Sequence, residues 1–172
     1  MIVPRHPQRF DVVAELIQAQ GFGVSRRSSW GTQGPAVSSD KPTIWLGDSL
    51  GEMALYFGLA DVALLGGSFE PLGGQNLIEA AACGCPVVMG PHTFNFAQAS
   101  EQAQEAGAAL RVADLTEGVD LARNLVADAD QLARARQACG QLSQAHRGAA
   151  QRLARAIAHV MNASVAGLVR TG

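Results

Sequence analysis

Short apolar stretches alternate with longer amphipathic stretches through the first two thirds of the chain. The short stretches are rich in Val, Ile and Leu, which is typical of buried β-strands. They lie at residues 2–3, 22–25, 43–46, 62–65, 86–89 and 109–112. Between them, apolar positions recur at three- and four-residue steps, which predicts helices. These lie at residues 8–20, 50–59, 77–83 and 97–106.

This strand–helix alternation predicts βαβ units and therefore an α/β, Rossmann-like parallel sheet with helices on both faces. From Leu115 to about residue 169 the chain is nearly all Ala, Leu, Gln and Arg, which predicts two or three helices broken at Gly118, Gly140 and Gly148. We therefore expect a sheet domain over residues 1–113 and a helical C-terminal extension over 114–172. The Ser-, Gly- and Pro-rich loop at 28–42 is the expected flexible stretch.

Composition narrows the class of protein. The chain has 172 residues, 48% of them hydrophobic, which suffices for a globular core. A net charge of −2 argues against a nucleic-acid binder led by bulk charge. Cys83, Cys85 and Cys139 lack the paired spacing of a zinc site, and we expect Cys83 and Cys85 to be small buried apolar residues. With no signal peptide and no membrane-spanning run in the sequence, we expect a cytoplasmic setting. No spacing of His and carboxylate residues supports a metal, and we expect neither metal nor cofactor.

Unusual polar and glycine-rich segments follow four of the predicted strands, at residues 4–6, 47–49, 66–76 and 90–96. In parallel α/β sheets, ligands bind beyond the carboxyl ends of the strands. The glycine-rich loop runs into a predicted helix near Asn76, whose free N–H groups favour a phosphate. No Lys or Arg lies between Lys41 and Arg111, so full charge would come from Arg5 on another loop. A plain strand–helix turn is the alternative.

Several residues allow two interpretations. Glu79 fits a capping box with Asn76, or a carboxylate that accepts from two ribose hydroxyls, with equal support. Ser49 and Glu52 have the spacing of a helix start, yet the peptide groups around Gly51 would also suit a nucleobase edge.

Residues 47–50 spell Gly-Asp-Ser-Leu, as in a class of esterases, but no His base is suitably spaced, so an N-cap role for Ser49 is favoured. His6 and His92 are expected at the ligand edge. A set of arginines in the tail predicts a solvated face, with a membrane or partner surface as the alternative. These are Arg123, Arg134, Arg136, Arg147, Arg152 and Arg155.

The ordered set of motifs closely resembles the C-terminal half of 3-deoxy-D-manno-octulosonic acid (Kdo) transferases, bacterial lipopolysaccharide glycosyltransferases of the GT-B type. The motifs are Pro4-Arg5-His6-Pro7, Gly51-Glu52, Gly66-Gly67-Ser68, Gly73-Gly74-Gln75-Asn76, Glu79 and Gly90-Pro91-His92-Thr93-Phe94-Asn95-Phe96. The resemblance covers residues 1–112 in detail and the helical tail in character only.

The resemblance implies an inverting transfer of Kdo from CMP-Kdo to a lipid A precursor, with CMP-Kdo bound by this half. Arg5 and His6 would meet the phosphate, and Gly51, Glu52 and Met53 would line the cytosine. The glycine loop and the helix start would bind phosphate and ribose. These residues are Gly67, Ser68, Gly73, Gly74, Gln75, Asn76, Leu77, Ile78 and Glu79.

Family members also carry an N-terminal acceptor domain with a carboxylate general base, and a first strand and helix that the sequence 1–172 does not match. We therefore expect a fragment that binds donor, contains no catalytic base and is inactive alone. The full-length enzyme is expected to associate peripherally with the cytoplasmic side of the bacterial inner membrane. A non-catalytic nucleotide-binding remnant, or a GT-B transferase using another sugar nucleotide, are the alternatives.

Overall fold

The structure, a computed structural model, describes residues 1–32, 34–35 and 41–169, and within these no side chains at 149–154 and 159–169. The predicted 28–42 loop therefore lies partly outside the described residues. The chain forms two compact units, Met1–Ala60 and a second that begins at Asp61.

The first unit contains two parallel strands and two helices. A 3-10 turn at Pro7–Arg9 leads into α1 (Phe10–Ala19), which is followed by β1 (Gly23–Arg26), β2 (Thr43–Leu46) and α2 (Met53–Leu59). β1 pairs with β2 in parallel, and Ile2 forms a parallel bridge with Leu46. Leu46 packs with Ala14 and Ile17 of α1, which gives this unit its own core.

The second unit contains a three-stranded parallel sheet in the order β3-β4-β5. Its elements are β3 (Ala63–Leu65), α3 (Ile78–Ala82), β4 (Val87–Met89), α4 (Ala97–Glu105), β5 (Ala109–Arg111), α5 (Leu115–Ala127) and α6 (Ala129–Val169). β4 is buried along its whole length, as expected of a central strand. Its Val88 packs with Val112 and with Ala122 of α5.

The predicted α/β class with parallel pairing is confirmed, and most elements lie within two or three residues of their predicted bounds. The prediction that glycines break the helical tail was wrong. Gly118 lies inside α5, and Gly140 and Gly148 lie inside α6. The break falls at Asp128, whose backbone is extended and whose Oδ1 accepts the N–H of Gln131 at 2.9 Å, capping the next helix.

Gly118 serves close packing instead of a turn. It is buried, and a Cβ there would approach Phe69 Cζ to 3.0 Å. α5 packs on β3 and β4, and α6 packs on α3, α4 and α5. The helices therefore belong to the second unit, which begins at Asp61. The division into a sheet domain over residues 1–113 and a helical extension over 114–172 stays a prediction.

Two further expectations concern the cysteines and the tail arginines. Cys85 is buried as predicted, whereas Cys83 is only half-buried; Cys139 is also buried. Burial raises the pKa of the Cys85 thiol to about 12 and that of Cys139 to about 11. The tail arginines with described side chains are exposed, and one of them, Arg136, pairs with Asp61 at 2.6 Å.

Among the described helices, none is long and apolar enough to cross a membrane.

Candidate functional site

The turn that follows Ile2 presents Arg5 and His6 to solvent. The N–H of Arg9 donates to the His6 carbonyl at 2.9 Å, which closes the 3-10 turn and fixes the backbone beneath both side chains. Both side chains are exposed, and no hydrogen bond or ion pair to the described residues engages them. A guanidinium and an imidazole are thus available to an anionic ligand at this turn.

The turn that follows β2 is bound to the turn that follows β1. The Asp48 carboxylate, only 4% exposed, accepts the N–H of Ser28 at 2.8 Å and its hydroxyl at 2.7 Å. Burial acts to raise the pKa of Asp48, but the Ser28 bonds and the nearby charge of Arg26 outweigh it and lower the pKa. Asp48 therefore holds two loops together as a buried anion.

Glu52 closes the same turn. Arg27 Nη2 donates to its Oε1 at 2.6 Å, and the Ser49 hydroxyl donates to its Oε2. The Ser49 bond holds the pKa of Glu52 below its ordinary value; burial opposes this, and the Arg27 charge adds to it. Gly51, which lies between Ser49 and Glu52 in the sequence, has φ +77°, a left-handed conformation that suits glycine.

The predicted N-cap role of Ser49 was wrong. α2 begins at Met53 with Glu52 as its N-cap, and no side-chain cap bond forms there. The Ser49 hydroxyl instead bonds Glu52 and contacts the hydroxyl of buried Tyr56. Its partners are a carboxylate and a phenol, and neither matches the His base of the esterase interpretation.

The glycine-rich loop of the second unit is pinned by the Gly90–Phe96 loop. Gly73 and Gly74 have φ of +86° and +79°, and a Cβ on Gly73 would lie 2.1 Å from Asn95 Nδ2. The Asn95 N–H donates to the Gly73 carbonyl at 3.2 Å, and the His92 N–H donates to the Ser68 carbonyl at 3.0 Å. Glycine is needed at position 73 both for its conformation and for this close approach.

Ser68 lies beneath the junction of these loops. Its side chain is fully buried, and its hydroxyl donates to the Leu65 carbonyl at 2.6 Å while accepting the Gly90 N–H at 2.8 Å. Leu77 is also interior, at 1% exposure. Both are predicted ligand residues. Because their side chains are interior, only their backbone groups are placed to meet a ligand at this loop.

Arg111 is a residue that sequence reasoning missed. It lies at the end of β5, where its Nη1 donates to the Gly90 carbonyl and to Thr93 Oγ1, both at 3.1 Å. Its Nε donates to Gln104 at 3.2 Å. The sequence marks Arg111 only as the first Lys or Arg after Lys41. The fold shows that its hydrogen bonds hold the Gly90–Phe96 loop, which contacts the glycine-rich segment.

The start of α3 presents free donors and a free carboxylate. Asn76 Oδ1 accepts the N–H of Ile78 at 3.1 Å, whereas the capping-box bond from Glu79 does not form. The Glu79 side chain is exposed, and its carboxylate has no hydrogen-bond partner among the described residues. The backbone N–H groups of Gln75, Asn76 and Leu77 are likewise unpaired within the described part of the chain. The Gln75 side chain lies over Gly67.

The predicted ligand residues thus fall into one group in each unit. The first unit presents Arg5, His6 and the Gly51–Met53 segment, and the second presents the glycine loop and the start of α3. Within the described residues, no three His, Cys, Asp or Glu side chains converge as a metal site requires.

Comparison with known proteins identifies the family. No family model matches the chain. It is 48% identical over 153 residues to the 3-deoxy-D-manno-octulosonic acid transferase of Bordetella pertussis, covering 88% of this chain and 35% of that protein. It is also 35% identical over 154 residues to the Haemophilus influenzae transferase of the same name, covering 89% and 35%.

A solved structure is similar over most of the chain. It is the C-terminal CMP-Kdo binding domain of WaaA from Acinetobacter baumannii, with a TM-score of 0.72, 30% identity, and coverage of 83% of this chain and 72% of that one. The chain belongs to the Kdo transferase family. It spans about a third (35%) of the length of the two Kdo transferases named above. The 153 matched residues exceed the 112 that motifs indicated, so the match includes part of the helical tail.

Proposed function

We propose that this chain is the donor-binding part of a Kdo transferase and that it binds CMP-Kdo through the CMP moiety. The observation that carries the proposal is the likeness to the WaaA domain, which is named for CMP-Kdo binding and matches both in backbone and at 30% identity. The free polar groups at the two ligand-residue groups support it, since a nucleotide needs a cation, amide donors and a diol acceptor.

In the first unit, Arg5 and His6 bind the phosphate. Both are exposed and unengaged by the described residues, so neither gives up a protein contact to meet a ligand. The backbone of Gly51, with Glu52 and Met53, lines the cytosine. Gly51 is exposed, and a Cβ there would meet nothing within 4 Å, which leaves room for a flat base.

In the second unit, the amides of the glycine loop and of residues 75–77 bind phosphate, and the Glu79 carboxylate accepts hydrogen bonds from the ribose hydroxyls. Three successive amides have no hydrogen-bond partner in the described part of the chain, which leaves them available to an anion. The missing capping-box bond favours the ligand interpretation of Glu79, because its carboxylate has no competing protein donor in the described residues.

In the whole protein, Kdo passes to a lipid A precursor and CMP leaves. Negative charge grows on the CMP phosphate as the glycosidic bond breaks, so donors aimed there stabilise the transition state more than the ground state. The general base that deprotonates the acceptor hydroxyl is contributed by a part of the whole protein other than residues 1–172. We propose that the whole protein acts at the cytoplasmic side of the bacterial inner membrane, and that the chain 1–172 alone is inactive in transfer.

Calorimetric titration with CMP, UDP and ADP tests the proposal. We expect selective CMP binding that weakens tenfold or more in Arg5→Ala and in Glu79→Ala, since one charge-assisted hydrogen bond is worth about 1.5–3 kcal/mol. Lys41→Ala and Glu105→Ala are charge-matched controls at exposed positions away from the predicted ligand residues, and both should bind like wild type.

Two results would contradict the proposal. Absence of binding by any of the three nucleotides would favour a non-catalytic remnant. A preference for UDP or ADP would favour a transferase that uses another sugar nucleotide.

A further inference from the structure

The first unit holds a cation that the nucleotide assignments leave unused. Arg27 begins the 3-10 turn Arg27–Ser29 that follows β1, and its side chain is 27% exposed. Its guanidinium lies 5.6 Å from the centre of the Trp30 ring, and its Nη2 donates to Glu52 Oε1 at 2.6 Å. A guanidinium fixed at two points holds its partner in a defined place.

Glu52 is engaged at both carboxylate oxygens. Arg27 occupies Oε1, and the Ser49 hydroxyl, itself in contact with Tyr56, occupies Oε2. Because protein donors hold both oxygens, the Glu52 side chain is fixed relative to the turn that precedes α2.

Side-chain packing does not hold the backbone of the turn at Gly51. Gly51 is exposed, its φ is +77°, and a Cβ there would contact nothing within 4 Å. The turn at residues 48–52 is instead fixed at its two ends, which bond to the consecutive residues Arg27 and Ser28. Ser28 binds Asp48 at one end with its N–H and hydroxyl, and Arg27 binds Glu52 at the other.

We propose that Arg27 is a positioning residue for base recognition: by binding Glu52 it holds the Gly51–Met53 segment in the arrangement that distinguishes cytosine from uracil. This inference rests on the proposed function and deepens it. Arg27 itself touches no nucleotide in this assignment, and it acts through the shape of the segment.

The test compares CMP with UMP in calorimetric titrations of wild type, Arg27→Ala, Arg27→Lys and Glu52→Gln. Arg27→Ala should reduce the ratio of CMP to UMP affinity about fivefold, the order expected for a partly exposed ion pair. Arg27→Lys keeps a donor for Glu52 and should restore part of the ratio. The double variant Arg27→Ala/Glu52→Gln should lose no more than either single variant. Lys41→Ala serves as the control for charge.

Hydrogen exchange of the ligand-free protein adds a readout independent of nucleotide. Amides of residues 49–53 should exchange faster in Arg27→Ala than in wild type. The thermal stability of the second unit and the exchange of its amides should be unchanged. A wild type that binds no CMP would refute the proposed function. A wild type that prefers CMP, together with an Arg27→Ala variant of unchanged preference or unchanged exchange at 49–53, would refute this inference alone. Losses that add in the double variant would also overturn it.

Discussion

Replacing Ser68 with Ala should destabilise the second unit strongly, although it removes a single oxygen atom. The hydroxyl is fully buried and bonds both the Leu65 carbonyl and the Gly90 N–H. Gly90 is itself buried, so water does not replace the lost acceptor. Because the variant leaves a desolvated N–H without a partner, its cost exceeds that of an ordinary hydrogen bond.

The magnitude follows from these two bonds. Loss of the bond to Leu65 costs about 0.5–1.5 kcal/mol, and the unsatisfied Gly90 amide costs about 1–3 kcal/mol. The sum is about 1.5–4.5 kcal/mol, a large part of the roughly 5–15 kcal/mol by which a domain is stable. Since Gly90 begins the loop that pins Gly73, we also expect weaker CMP binding.

Ser100 supplies a matched control in the same unit. It is also fully buried, but its hydroxyl has no hydrogen-bond partner among the described residues. Ser100→Ala therefore removes an unsatisfied polar group and should be neutral or stabilising. The two variants have the same change in atoms and the same burial, so their difference isolates the hydrogen bonds.

Urea denaturation at neutral pH and hydrogen exchange at Gly90 measure the effect. Ser68→Ala should lower the free energy of unfolding and speed exchange of the Gly90 amide, whereas Ser100→Ala should do neither. Equal losses in both variants, or a loss under about 0.5 kcal/mol in Ser68→Ala, would refute the reasoning, since that is the scatter of ordinary substitutions.

Two other predictions concern titratable groups. Asp48→Asn should destabilise the first unit by about 1–3 kcal/mol at pH 7. The pKa of Asp48 is lowered in the folded state, so its contribution is present above its ordinary value of 3.8 and is lost as pH falls through the folded value. The difference between wild type and variant in urea denaturation should therefore shrink below pH 4, and a constant difference down to pH 2 would contradict this. Among the thiols, half-buried Cys83 should react first with Ellman's reagent at pH 8. Cys85 and Cys139, with pKa values of about 12 and about 11, should react only after denaturant is added; three equally fast thiols would be the contrary result.

The order of the elements followed from local pattern alone. A run such as Val87–Met89 predicts a buried strand wherever it lies, and the Gly73–Gly74 pair predicts a turn that other residues would strain. The ordered motifs were specific enough to indicate the family, because several unusual segments in a fixed order are far more distinctive than any one of them.

The roles of Ser68, Arg27 and Arg111 were decided by tertiary structure. Each bonds a partner about 20 residues away or more along the chain, Gly90, Glu52 and Gly90 respectively. Hydrogen bonds between residues so far apart depend on which loops the parallel strands bring side by side. The spacing of apolar residues within one helix or strand does not predict them. The same holds for the break at Asp128: glycine is permitted at a turn but does not require one, and Gly118 lies inside a helix where it allows close packing on Phe69.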